Sequence, residues 1–189
     1  RVKARHGDEV VSAGGVRVVG ENGDEVSADG KTLGEISVRG NVVMAGYYND
    51  MNATEAAIRD GWFFSGDAAV VHPDGYIEIR DRFKDVIISG GENISSVELE
   101  GCLLTHPAVQ EVAVVGMPHE KWGESPHAFV VLKEGAEATE ESLKFHVRDR
   151  LAHFKTPQMI SFVKDLPKTA TGKVQKYVLR KSAPGITRQ

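Results

Sequence analysis

Cysteine and long apolar runs are the features that this sequence has least of. Its single cysteine, Cys102, has no second cysteine with which to form an internal disulfide. Cysteine and histidine nowhere cluster with the spacing of a zinc site. No apolar run approaches the length of a membrane span, and the first residues lack the apolar segment of a signal peptide. The sequence therefore predicts no disulfide framework, no metal ligands and no membrane span, and a reducing compartment, the cytoplasm, fits it best.

A strong excess of charge is also absent. The 189 residues carry a formal net charge of -4, and 41% of them are hydrophobic and 26% charged. Proteins that coat nucleic acid or anionic membranes present basic faces, so this composition argues against both partners. The length allows one large domain or two small ones. The chain begins without methionine, which we interpret as the sign of a longer polypeptide.

Residues 1–80 are predicted to form a small antiparallel β module. Short β-like runs alternate with glycine-containing turn signals, and these runs are 16–19, 35–39 and 42–44. Residues 52–59 predict one or two helical turns, with Asn52 or Thr54 as the cap. The aromatic run 62–64 follows, and core packing is the simplest interpretation of its side chains.

A charged link at 81–85 joins two predicted strands, and we interpret it as a hinge. The chain after it, 86–189, is predicted to be an α+β domain with a three-stranded sheet and packed helices. The expected strands are 109–115, 128–132 and 159–163. One helix is expected after a capping box formed by Ser95 and Glu98, a second after Thr139, and a basic helix or coil at 173–181.

Two short segments could carry chemistry. Thr171 and Gly172 make a tight polar loop, and Lys173 follows as a mobile positive charge that could meet a phosphate or a developing oxyanion. The alternative is that Lys168, Lys173 and Lys176 form a solvated basic face.

The second segment is the glycine pair Gly90-Gly91, which could let a ligand approach the backbone, although a plain strand-to-helix turn is the favoured interpretation. Asp67 and Arg82 could bind sugar hydroxyls or be ordinary surface charges. The histidines have no recognisable partner spacing, and no Walker loop is present.

Four motifs, in this order along the chain, together resemble the adenylate-forming superfamily. They are Gly46-Tyr47-Tyr48-Asn49, then Gly61-Trp62-Phe63 with Ser65-Gly66-Asp67, then Gly75-Tyr76 through Arg82 and Lys84-Asp85 to Ser89-Gly90-Gly91-Glu92, then Pro167-Lys168-Thr169 with Thr171-Gly172-Lys173. Within that superfamily the chain is most similar to AMP-forming acyl-CoA synthetases, over residues 34–180.

The resemblance implies a two-step reaction and a role for each site residue. A carboxylate, expected to be a fatty acid, attacks the α-phosphate of ATP, and coenzyme A then displaces AMP. Asp67 and Arg82 would bind the ribose, Lys173 would be the catalytic lysine of adenylation, and Lys84 would be the hinge residue. Coenzyme A would pass the segment 89–92 (Ser89, Gly90, Gly91 and Glu92).

The family's phosphate-binding loop, its adenine and magnesium motif and its acyl pocket have no counterpart in this sequence. The resemblance therefore implies the C-terminal third of a synthetase, inactive alone, with Mg2+ bound mainly by an N-terminal domain of the same polypeptide. The alternatives are a fragment of an assembly-line adenylation domain that serves a carrier protein, and an interaction module without catalysis.

Overall fold

A computed structural model describes residues 14–182. The chain divides into two compact units, one ending at Lys84 and the other beginning at Asp85. Each unit contains one five-stranded sheet.

Over residues 14–84, the first unit consists of one antiparallel sheet and one short helix. Its strands are β1 (Val16–Val19), β2 (Gly34–Val38), β3 (Ile58–Arg59), β4 (Trp62–Val71) and β5 (Ile77–Arg82), and its helix is α1 (Met51–Ala57). Strand β4 pairs with β2 along one edge and with β3 and β5 along the other. Alternate side chains of the strands, Val18, Ile36 and Ala69 among them, form a small apolar core.

Several local predictions for this unit need correction. The run 42–44 forms no strand, and its Val42 and Met44 side chains are 58% and 37% exposed. The cap of α1 is Asp50, whose carboxylate accepts from the Ala53 amide at 2.9 Å, because the helix begins one residue earlier than expected.

The aromatic run 62–64 lies within β4 but is only half buried. The Arg17 guanidinium covers the Trp62 ring at 3.9 Å, and the Arg59 guanidinium covers the Phe64 ring at 3.7 Å. Cation–π contacts with strand neighbours therefore partly replace the expected core packing.

The second unit is α+β, which confirms the predicted class. Its strands are β6 (Ile87–Ser89), β7 (Glu92–Ile94), β8 (Val109–His119), β9 (Gly123–Leu132) and β10 (Met159–Phe162). Its helices are α2 (Ser96–Leu104), α3 (Glu140–Arg148) and α4 (Lys176–Ser182). The three expected strands are present as β8, β9 and β10, and the hairpin of β6 and β7 completes a five-stranded sheet.

Both faces of β8 and β9 are buried over residues 112–115 and 128–131, which explains the apolar runs there. Val114 and Val130 face the core that contains Leu99 of α2 and Leu143 of α3. On the other face of the sheet, Val115 packs in a second core together with Leu179 of α4. The side chains of successive residues alternate between these two cores, as strand geometry requires.

The helix signals of the second unit are partly confirmed. The Ser95 hydroxyl accepts from the Glu98 amide at 3.2 Å, while the Glu98 carboxylate pairs with Lys155. The reciprocal capping box occurs at Thr139 and Ser142 on α3. The final helix begins only at Lys176, so Lys173 lies on a loop. Across the described residues, no helix is long and apolar enough to cross a membrane.

Candidate functional site

The first unit brings Asp67 and Arg82 together on adjacent strands. These two residues face each other in the register of β4 and β5. The Arg82 guanidinium donates to the Asp67 carboxylate at 2.8 Å and to the Ser65 carbonyl at 3.0 Å. The Asp67 side chain is 30% exposed, so it can still meet a ligand. Carboxylate oxygens accept hydrogen bonds from sugar hydroxyls, and the arginine holds this carboxylate in a fixed orientation.

Glu35 positions the backbone immediately before Asp67 and is not among the residues predicted from the sequence. Its carboxylate accepts from the Gly66 amide at 3.0 Å and lies 3.9 Å from the Arg59 guanidinium. Gly66 has a φ of 73°, a conformation that favours glycine. No local pattern marks Glu35, because its contact depends on the pairing of β2 with β4.

In the second unit, the glycine pair is the turn of a β-hairpin, so the predicted strand-to-helix turn is wrong. Strands β6 and β7 pair antiparallel, with Ser89 opposite Glu92. Gly90 and Gly91 have φ values of 61° and 86°. Two-residue hairpin loops of this type need positive φ at both central positions, which glycine adopts without strain. The glycines thus serve the backbone and also present a turn without side chains.

Trp122 covers Gly90. The Gly90 amide donates to the Trp122 carbonyl at 2.9 Å, and a Cβ atom added at Gly90 would lie 2.8 Å from the indole ring. A Cβ atom at Gly91 would meet nothing within 4 Å. The packing of a neighbouring side chain therefore excludes a Cβ atom at Gly90 but not at Gly91.

A cavity of about 280 Å³ lies beside this hairpin. Ser89, Gly90 and Glu92 line one part of it, and the aromatic rings of Trp122 and Phe154 line another. Three cationic or protonatable groups also line it, namely Lys144, Arg148 and His153, and Lys144 is paired with Glu140 at 2.7 Å. The cavity can therefore accept an aromatic group and a negative charge together.

Thr156 also lines the cavity, and its buried hydroxyl has no hydrogen-bond partner among the described residues. A buried polar atom without a partner is uncommon and is satisfied when a ligand or water enters. Thr156, Trp122 and Phe154 are not among the residues predicted from the sequence, because they come together only through the pairing of β6, β9 and β10.

The lysine loop, 167–173, is a closed turn. Two backbone hydrogen bonds close it. The Thr169 amide donates to the Lys173 carbonyl at 2.8 Å, and the Gly172 amide donates to the Thr169 carbonyl at 2.9 Å. The Lys173 amide donates to the Thr169 hydroxyl at 3.1 Å. Lys173 is exposed, and no carboxylate among residues 14–182 pairs with its ammonium.

The neighbouring lysines are neutralised. Lys168 pairs with Glu111 at 2.6 Å, and Lys176 pairs with Glu100 at 2.7 Å. Lys168, Lys173 and Lys176 therefore do not form a face of three equivalent lysines, because two of them are paired with glutamates. Lys173 alone of the three has no carboxylate partner among residues 14–182.

Lys84 lies in a 3-10 turn, Phe83–Asp85, and is the last residue of the first unit. The link between the strands was predicted at 81–85, but β5 continues through Arg82, so the observed link is shorter. The turn that follows contains one exposed lysine and the buried Asp85.

Cys102 and His127 are buried in the second unit. Burial raises the pKa of the Cys102 thiol, which disfavours the reactive thiolate. Burial also lowers the pKa of His127, whose ring shares a hydrogen bond of 2.9 Å with the Ser161 hydroxyl. Among residues 14–182, no group of three or more His, Cys, Asp or Glu side chains could hold a metal ion.

Comparison with known proteins shows which family the chain resembles. Residues 98–173 match the family described as the AMP-binding enzyme C-terminal domain. The solved structure of o-succinylbenzoate CoA synthetase (MenE) from Bacillus subtilis, in complex with the acyl-adenylate intermediate, is 34% identical. It aligns over 97% of this chain and 36% of its own, with a TM-score of 0.83. The chain belongs to the adenylate-forming enzymes.

Curated relatives of this chain are named as ligases or acyl-activating enzymes. The probable CoA ligase CCL11 of Humulus lupulus is 52% identical over 95% of the chain and 33% of its own length. The probable peroxisomal acyl-activating enzyme 5 of Arabidopsis thaliana is 50% identical over 100% of the chain and 35% of its own length. The 4-hydroxybutyrate–CoA ligase 2 of Metallosphaera sedula is 52% identical over 97% of the chain and 33% of its own length. The chain thus spans about a third of the length of these relatives.

Proposed function

We propose that this chain is the C-terminal part of an AMP-forming acyl-CoA synthetase. In the first step, a carboxylate oxygen bonds to the α-phosphorus of ATP and pyrophosphate leaves. In the second step, the sulfur of coenzyme A bonds to the acyl carbon, AMP leaves, and the thiol proton is lost to the surroundings. The observation that carries this proposal is Lys173, which presents an unpaired ammonium on a closed turn between two neutralised lysines.

In the first step, Lys173 would stabilise the negative charge that the carboxylate and the α-phosphate share as their bond forms. The closed turn fixes the backbone of Lys173, so little backbone freedom is lost when the ammonium meets its target. Asp67 would accept hydrogen bonds from the ribose hydroxyls, and Arg82 would hold that carboxylate in place.

In the second step, the segment 89–92 would guide the arm of coenzyme A. The turn at Gly90 and Gly91 offers backbone without side chains, and the cavity beside it combines aromatic rings with cationic groups. This lining suits a long acceptor that ends in a phosphorylated nucleotide.

We propose residues 1–80 as the last β module of a larger adenylation domain, 81–85 as the hinge and 86–189 as the mobile AMP-binding domain. Lys84 would be the residue whose backbone rotates between the two steps. The boundary between the two compact units lies directly after Lys84 and supports this division.

A fatty acid is our first candidate for the carboxylate, and the names of the relatives extend the candidates to short hydroxy acids and aryl acids. The acyl pocket and the Mg2+ ligands are assigned to the rest of the polypeptide. A reducing compartment is proposed because the single cysteine has no second cysteine with which to form an internal disulfide. The cytoplasm is our first choice, and the peroxisome, which one relative's name gives, is the alternative.

The test is ATP–pyrophosphate exchange by the longest natural polypeptide that contains these residues, measured with fatty, hydroxy and aryl acids. We expect acid-dependent exchange, followed by acyl-CoA formation when coenzyme A is added. The 189-residue chain alone should give no exchange. Transfer to a carrier protein but not to coenzyme A would favour the assembly-line alternative, and a lack of exchange with every acid would contradict the proposal.

A further inference from the structure

The helix that follows the lysine loop is fixed to the second unit on one face. Lys176, Leu179 and Arg180 have the i, i+3 and i+4 spacing that places side chains on the same side of a helix. Leu179 is only 4% exposed and packs in the core that contains Val115 and Phe129. The two charged residues on either side of it each reach a carboxylate elsewhere in the unit.

The first of these contacts fixes the start of α4 and thereby the end of the lysine loop. The Lys176 ammonium lies 2.7 Å from a Glu100 oxygen and donates to the Ser96 hydroxyl, also at 2.7 Å. The same Glu100 oxygen accepts from the Val114 amide at 2.8 Å. Lys176, three residues after Lys173, is therefore attached to α2 directly and to β8 through Glu100.

The second contact joins the end of α4 to the first residue of the unit. The Arg180 guanidinium donates to the Asp85 carboxylate at 2.6 Å, across 95 residues of sequence. The Asp85 and Arg180 side chains are 12% and 30% exposed, so the pair is largely shielded from solvent. Asp85 is bonded directly to Lys84, the proposed hinge residue.

Shielded ion pairs add little net stability compared with apolar replacements, but they fix the relative position of the groups that they join. The ion pair of Asp85 with Arg180 fixes the position of α4, the helix after the lysine loop, relative to Asp85, the residue after the hinge. A rotation at Lys84 would be passed to Asp85, then to α4 and then to Lys173. Without the pair, part of that rotation would be absorbed within the unit.

We propose that Asp85 and Arg180 are positioning residues for adenylation, which act by coupling the hinge to the lysine loop. This inference rests on the proposed function of Lys173 and adds two residues that do not themselves touch the substrate. It assigns the pair to the first step, because that is the step in which Lys173 meets its substrate.

One arm of the test uses the 189-residue chain and does not depend on activity. Amide hydrogen exchange is measured in residues 178–181 for the unsubstituted chain, Asp85→Asn and Ile160→Val. The last is a control that removes one buried methylene from β10 without touching either ion pair. We expect exchange in α4 to rise about ten-fold in Asp85→Asn only. An equal rise in both variants would overturn the coupling.

The other arm uses the longest natural polypeptide and compares the two half-reactions for Asp85→Asn, Arg180→Gln, their double variant and Ile160→Val. We expect kcat for adenylation to fall about ten-fold in each single variant, with no further loss in the double variant. The ATP KM and thioester formation from supplied acyl-adenylate should change by less than about two-fold.

Three results would count against these claims, and they are distinguishable. Adenylation that is as slow in Ile160→Val as in Asp85→Asn would overturn the positioning role alone. Equal losses in both half-reactions would also overturn it, since a purely structural defect has that effect. No adenylation in the unsubstituted polypeptide would overturn the proposed function and, with it, this role.

Discussion

Arg82 donates a hydrogen bond of 2.8 Å to Asp67 across the antiparallel strands β4 and β5. The two residues are 15 positions apart in sequence, yet strand pairing places them directly opposite each other. The carboxylate is thus oriented before any ligand arrives, and this order lowers the entropy that binding must remove.

Replacement of Asp67 by alanine should raise the ATP KM of the longest natural polypeptide by about ten-fold or more. Hydrogen bonds to a charged group contribute about 1.5–3 kcal/mol, and each ~1.4 kcal/mol is a factor of ten. Steady-state kinetics at varied ATP measures the change. Glu78→Gln, which removes a carboxylate from the same strand pair, is the matched control. An ATP KM that stays the same in Asp67→Ala would remove the ribose role.

Replacement of Lys84 by proline should leave adenylation measurable while thioester formation falls by an order of magnitude or more. The proline ring fixes φ at about -65°, so rotation about φ at this position is blocked. The two half-reactions are measured separately by pyrophosphate exchange and by acyl-CoA formation. Lys84→Ala keeps the rotation free and should support both steps. Equal rates of thioester formation in the two variants would show that the rotation occurs elsewhere.

The two glycines of the hairpin should respond differently to alanine. Both have positive φ, so either change introduces strain of about 1–2 kcal/mol. Gly90→Ala adds a clash with the Trp122 ring, and overpacking of this kind costs about 1–3 kcal/mol more. Denaturant unfolding of the 189-residue chain measures both losses. Similar destabilisation by Gly90→Ala and Gly91→Ala would contradict the packing of Trp122 on the turn.

Acid should destabilise the second unit through His127. Burial lowers the pKa of His127 in the folded state, whereas the Glu140 carboxylate acts in the opposite direction. As the pH falls below about 6.5, the ordinary pKa of histidine, the unfolded chain takes up a proton that the folded chain does not. Stability should therefore be constant above this pH and decline below it, until the pH reaches the lowered pKa.

The measurement is the free energy of unfolding from pH 7.5 to 5, for the unsubstituted chain and for His127→Gln. The glutamine variant should show a weaker decline. His146→Gln is the comparison variant. The pKa of His146 is also lowered, but its ring lies nearer the surface, beside Thr105, so this variant should weaken the decline less than His127→Gln does. A decline in His127→Gln equal to that of the unsubstituted chain would assign the acid sensitivity to other groups.

Structural features that depend only on residues close together in sequence were predicted from local patterns. The central residues of β8 and β9, 112–115 and 128–132, are apolar without interruption, and the polar turn before Lys173 contains its own glycine, so both were predicted correctly. Asp67 and Arg82 were candidates from their residue types, the motif resemblance gave them a ribose role, and the structure shows them in contact.

Features that depend on strand pairing could not be predicted from local patterns. Gly90-Gly91 is compatible with several turns, and only the antiparallel pairing of β6 with β7 makes it a hairpin. The residues next to Glu35 and Thr156 in sequence form no motif that marks either of them as part of a site. The strand expected at 42–44 had apolar residues but no partner strand, and composition alone cannot supply one.

The most direct test of the account is the effect of Lys173→Ala on the two half-reactions of the longest natural polypeptide. Loss of one charge-stabilising group from an active site lowers kcat by about 10²–10³-fold. We expect pyrophosphate exchange to fall by this factor, while acyl-CoA formation from supplied acyl-adenylate stays within about two-fold. Lys181→Ala, eight residues further along, should leave both rates unchanged. Undiminished pyrophosphate exchange in Lys173→Ala would contradict the central claim.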